Sequence, residues 1–152
     1  MIVFHRWWFI VCLTIAGAAA LQFFGFFAYL LASDVSYLSF VSISIFTLST
    51  LFVGQLTYAA VNKKPFEKHL GFCWFASECM LGLGMMGTLI GFLILLSTAF
   101  IGMDLTNTIA MQKTLGVMGA GFATAGLTTL VGLCCSLLLK LQLVNLEYLL
   151  EE

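Results

Sequence analysis

Gly84-Met85-Met86-Gly87-Thr88-Leu89-Ile90-Gly91 puts three glycines and a threonine inside an apolar run that extends from about residue 71 to residue 101. In water each of those glycines would weaken a helix by about 1 kcal/mol relative to alanine. In a bilayer the helix persists, because unwinding would strand backbone N–H and C=O groups in hydrocarbon. A missing side chain then becomes useful. Gly87 and Gly91 form a G-x-x-x-G pair that lets another helix backbone come close. Gly84, Thr88 and Gly91 recur at helical spacing, so one face is smooth and carries a single hydroxyl. The stretch reads as a membrane helix with a packing face.

The rest of the chain agrees with that setting. Of 152 residues, 62% are hydrophobic and only 9% charged, against roughly 25% charged in a soluble domain. About 20 apolar residues in a helix cross a bilayer core. Four runs are long enough: residues 7–32, 37–61, 71–101 and 115–139, the last continuing as helix to 152. The expected fold is therefore all-α, a single polytopic membrane domain over 1–152 with four transmembrane helices. The first run exceeds the apolar core of a signal peptide and lacks a clean small-residue cleavage motif, so it reads as a retained span. Arg6, Lys63, Lys64, Lys68 and Lys140 all fall on one side of such a bundle, with Lys113 on the other. The positive-inside rule then predicts N-in/C-in topology.

Side-chain chemistry is sparse. The net charge of −1 leaves no electrostatic footprint for nucleic acid. The five cysteines lie in apolar runs without companions at zinc spacing, so no metal site is expected. No serine–histidine pair, H-E-x-x-H motif or pair of intramembrane carboxylates is present, so the chain reads as non-enzymatic and free of cofactor. Trp7 and Trp8 suit a membrane interface. The second span carries a hydroxyl ladder (Ser39, Ser42, Ser44, Thr47, Ser49, Thr50) whose natural partners are helix carbonyls or the first span; together these two spans are expected to form a lipid-facing outer layer. Glu78 has two open readings, an interfacial carboxylate or part of a water-filled vestibule, because it lies only about 15 Å of helix past Lys68. The fourth span repeats the small-residue theme. Ala125, Thr129, Gly132 and Ser136 share one face, with Thr124 and Thr128 on an adjacent one.

Two motifs now stand in order. Gly84-Met85-Met86-Gly87-Thr88-Leu89-Ile90-Gly91 resembles the G-L-x-G-T-V-x-G segment of the MotA/TolQ/ExbB family of ion-driven channels. Ala125-Gly126-Leu127-Thr128-Thr129-Leu130-Val131-Gly132-Leu133 resembles the A-L-x-x-T-x-x-G-L segment of that family's last helix. The resemblance covers residues 82–144. It implies a homo-oligomer, a pentameric ring whose last two helices line a pore in the bacterial cytoplasmic (inner) membrane. It also implies a dimeric single-span partner, like MotB, TolR or ExbD, whose aspartate takes up the transported proton or sodium ion. Thr88 and Thr129 match the threonines that face that aspartate, and Thr128 adjoins one of them; in the vestibule reading of Glu78, Thr124 would join it. Gly84, Gly87, Gly91, Ala125 and Gly132 would serve packing and pore lining.

The chain departs from the family in three ways. Leu137 and Leu138 stand where a proline is common, Thr124 stands where ExbB and TolQ members often carry glutamate, and only a short turn separates the second and third spans. The last favours a MotA-like or Zorya-type layout. Two functions are thus expected in competition: a subunit of an ion-driven motor or channel, and a structural membrane scaffold without ion conduction. In the second, Thr88 and Thr129 would point at helix carbonyls or lipid.

Overall fold

Glycine 25 divides the first apolar run in two. The computed structural model describes residues 2–34, 37–61, 67–100 and 108–151. In it α1 (Ile2–Phe23) stops at Phe24–Gly25, and α2 (Phe26–Ser33) starts immediately after. The continuous helix expected over 7–32 is corrected here. Gly25 takes φ +72°, in the left-handed region that costs an L-residue roughly 1–2 kcal/mol. Its N–H tightens onto Gln22 O at 2.9 Å, and its own carbonyl accepts Tyr29 N–H at 3.0 Å to begin α2. Nothing lies within 4 Å of where a Cβ would stand, so the glycine is required by its backbone angle and not by crowding.

The link from α2 to α3 (Leu38–Val61) is made by Asp34. Its backbone N–H closes the end of α2 on Leu30 O at 2.8 Å, and its carboxylate accepts the Ser39 N–H at 3.0 Å. A carboxylate over the first free N–H groups of a helix satisfies orphan donors and opposes the helix dipole favourably. That role explains how Asp34 can be almost wholly buried.

Helices α4 (Glu67–Phe100) and α5 (Thr108–Glu151) are 34 and 44 residues long, about 51 and 66 Å. Both exceed a hydrocarbon core of about 30 Å. The segments His5–Phe23, Leu38–Ala60, Leu70–Ser97 and Thr114–Tyr148 are each long and apolar enough to cross a membrane, so this is a four-span, all-helical membrane protein. Most of the basic residues that carry the topology argument (Lys63, Lys64 and the side chains of Lys68 and Lys113) lie outside the described residues, as does the loop containing Asp104.

The core gathers where the start of α4 meets the ends of α3 and α5, around Leu56, Met80, Leu139, Leu143 and Leu146. Trp7 reaches in from α1. Its indole lies on Gly54 of α3, where a Cβ would stand 2.5 Å from Cζ2. Trp8 is exposed, whereas Trp7, expected beside it at a membrane interface, is only 8% exposed. The two-helix outer layer is likewise only half the picture. Most of α1 is exposed, but α3 packs on α4 and α5 and buries Ser42, Ser49, Val53 and Thr57. Hydroxyls on its ladder donate back along the helix, Ser44 to Phe40 O and Thr47 to Ile43 O, each at 2.9 Å.

Candidate functional site: the α4–α5 seam

Helices α4 and α5 run antiparallel and touch through backbone. At the tightest point, a Cβ on Gly132 would lie 2.7 Å from Met80 O and 2.9 Å from Gly84 Cα. One on Gly84 would meet Gly132 Cα, Thr128 O and Thr129 Cα, all at 3.3 Å. Two turns further along α4, Gly91 faces Ala125, and a Cβ on Gly91 would lie 3.2 Å from Ala125 Cβ. Gly121, one turn before Ala125, extends the same line and lies against the Leu95 side chain. The glycines thus let two helices approach within backbone contact, as van der Waals packing in lipid requires.

Gly87 receives Thr128. A Cβ there would sit 2.7 Å from Thr128 Oγ1 and 2.8 Å from its Cβ, so the threonine fills the space that the glycine leaves. Thr128 is 1% exposed and donates to Ala125 O at 2.9 Å. Thr88 and Thr129 are each one residue further along their helices, about 100° of turn. Because the helices are antiparallel, that turn carries both to the same edge of the seam and to nearly one level. Both are half-buried. Thr129 donates across the seam to Gly84 O at 3.1 Å, and Thr88 donates to Met85 O at 2.6 Å.

Each hydroxyl has one hydrogen and two lone pairs. With their hydrogens directed at those carbonyls, the Thr88 and Thr129 oxygens have lone pairs to offer. They can receive a hydrogen bond from a protonated carboxyl group, or help to coordinate a cation. They cannot carry a proton themselves. No Asp, Glu, Lys, Arg or His occurs between Glu78 and Phe100 or between Thr114 and Leu139, so the seam supplies no charge of its own.

Glu78 is not brought to the threonines. It is exposed, and ten residues of helix put it about 15 Å from Thr88 along α4. The side chain of Thr124 lies outside the described residues. Among the described residues no group of three His, Cys, Asp or Glu could hold a metal.

Two polar contacts beside the seam escape a reading of the sequence. Trp74 Nε1 donates to Glu147 Oε1 at 2.8 Å, tying the start of α4 to the end of α5. Gln142, fully buried, donates from Nε2 to Thr50 Oγ1 at 3.3 Å and ties α5 to α3, while its Oε1 has no hydrogen-bond partner among the described residues. Gly121 could have been found, since it falls one turn before Ala125 on the small-residue face. The two polar pairs join positions 73 and 92 residues apart, and no local pattern marks them. Searches of family models, curated proteins and solved structures return no match for this chain.

Proposed function

We propose that this chain is the channel-forming subunit of an ion-driven motor or channel. In this reading it conducts protons, or sodium ions, across the bacterial inner membrane with both termini inside. Five copies form a ring, and a dimeric single-span partner brings an aspartate to the threonine edge. The observation that carries the proposal is the pair of hydroxyl oxygens on Thr88 and Thr129, level with each other on one edge of a charge-free seam, each with lone pairs to offer. Such an edge suits a carboxyl group that arrives protonated, or a cation shared with a carboxylate. A selective relay needs an ionisable site, and a partner must supply it.

A second reading rests on a specific observation. All three hydroxyls donate to helix carbonyls, and Thr128 is enclosed by Gly87. That is also what a packing scaffold without ion conduction needs.

Thr129→Val separates the two. Its bond to Gly84 O is worth on average about 0.6 kcal/mol in a membrane helix pair, too little to unfold the protein. The test pairs the chain with the single-span product of a neighbouring reading frame, reconstitutes both in liposomes, and follows ion flux with a pH- or sodium-sensitive dye. A conducting role predicts that flux falls at least tenfold while oligomer size stays the same. Undiminished flux with valine at position 129 would remove the threonine edge from the pathway, and no flux in the parent protein would favour the scaffold.

A further inference from the structure

We infer that neighbouring copies of this chain dock head-to-tail, with Glu78 of one copy paired to Lys140 of the next. The inference rests on the ring reading above and names the faces that make the ring. A single copy leaves two opposite charges apart. Glu78 and Lys140 make no hydrogen bond or ion pair with any described residue. The contact of Gly84 with Gly132 fixes the register of the seam. Eight residues further from that contact on each helix, Lys140 lies opposite Ala76, within about 3 Å of rise of Glu78. The two charges share one level, at the border of the charge-free stretches of both helices.

They do not share a face. Lys140 follows Thr129 by eleven residues, close to three full turns, so it continues the threonine edge. Glu78 is about 80° around α4 from that edge, toward the back of the helix. It stands on an exposed stripe with Phe75, Gly82 and Leu89. Nothing lies within 4 Å of the space above Gly82, one turn from Glu78, so a neighbouring helix can come close. A carboxylate on an apolar stripe at a membrane border calls for a cation, and the lysine at its level is on the other helix and the other face. Contacts between two different faces of one protomer are heterologous, and they close into a ring when the rotation between copies divides a full turn, as the ring reading requires. Placing the back of α4 against α5 of the next copy turns every threonine edge toward a common axis. It also brings each Glu78 to the Lys140 of its neighbour.

Two differently tagged copies expressed together test this, one Glu78→Gln and the other Lys140→Gln, treated in membranes with a zero-length carbodiimide. The reagent joins a carboxylate and an amine that are already in contact. An amide between Glu78 and Lys140 in this pair of variants can form only between copies. The expected result is a covalent dimer carrying both tags and that cross-linked peptide. Glu78→Lys should lower the yield of multi-copy particles several-fold, and the double variant Glu78→Lys, Lys140→Glu should restore it. Co-purification of the tags without the cross-link, or a cross-link only within single copies of the parent chain, would overturn the inference and leave a ring with other faces. Failure of the tags to co-purify would remove the ring as well. A cross-link between copies that conduct no ions would uphold the docking and count against the channel.

Discussion

Gly132→Ala is the sharpest probe of the seam. The added methyl would lie 2.7 Å from Met80 O, 2.9 Å from Gly84 Cα and 3.1 Å from Gly84 N. All three are backbone atoms of α4, so no rotamer change relieves the clash. Ordinary carbon contacts begin at about 3.5 Å, and the helices must separate by about 0.5–1 Å. Overpacking of this kind costs about 1–3 kcal/mol. The same separation stretches the Thr129–Gly84 bond beyond its present 3.1 Å and forfeits about 0.6 kcal/mol more. The sum is a loss of about 2–4 kcal/mol. Reversible unfolding in mixed micelles, followed by tryptophan fluorescence, measures it. The control is Gly126→Ala, on a face with nothing within 4 Å, which should stay within about 0.5 kcal/mol of the parent. If the two variants unfold alike, the backbone contact between α4 and α5 is wrong and the placement of Thr88 and Thr129 fails with it.

Gly25→Ala should cost about 1–2 kcal/mol through its backbone angle alone, since no atom crowds the site; an unchanged unfolding curve would mean that α1 and α2 are one straight helix. Gln142→Leu removes a buried acceptor that has no partner among the described residues and a long hydrogen bond of 3.3 Å, so it should be neutral or stabilising by up to about 1 kcal/mol, and a clear loss of stability would show that the amide is satisfied. Trp74→Phe breaks the indole bond to Glu147 and should cost about 1–2 kcal/mol, whereas Glu147→Gln keeps an acceptor and should cost less; equal losses in the same assay would show that the hydrogen bond contributes nothing.

Run length made the four spans legible, because crossing hydrocarbon demands a minimum of apolar helix whatever the detailed sequence. Helix bends carry no such demand. Gly17 and Gly25 stand in the same apolar run, yet Gly17 stays helical and Gly25 turns the chain. The small-residue positions on α4 and α5 were legible as faces, since helical period alone assigns them. Their partners were not. Thr128 and Thr129 look equivalent as neighbours in sequence, but one helical step encloses the first against Gly87 and leaves the second on the seam's edge. Only the register between α4 and α5 separates them. Trp7 and Trp8 make the same point in α1, because which one Gly54 receives depends on how α3 lies across α1.

The length of α5 has a mechanical meaning. From Thr129 to Tyr148 it is one unbroken helix with no proline, about 28 Å long, so a tilt of about 10° at the threonine would swing the far end by about 5 Å. Leu139, Leu143 and Leu146 bury that arm against α3 and α4, and Glu147 takes the Trp74 N–H from α4. Any lever action of α5 must therefore carry both neighbours with it, and the protomer's thick end would move as one block.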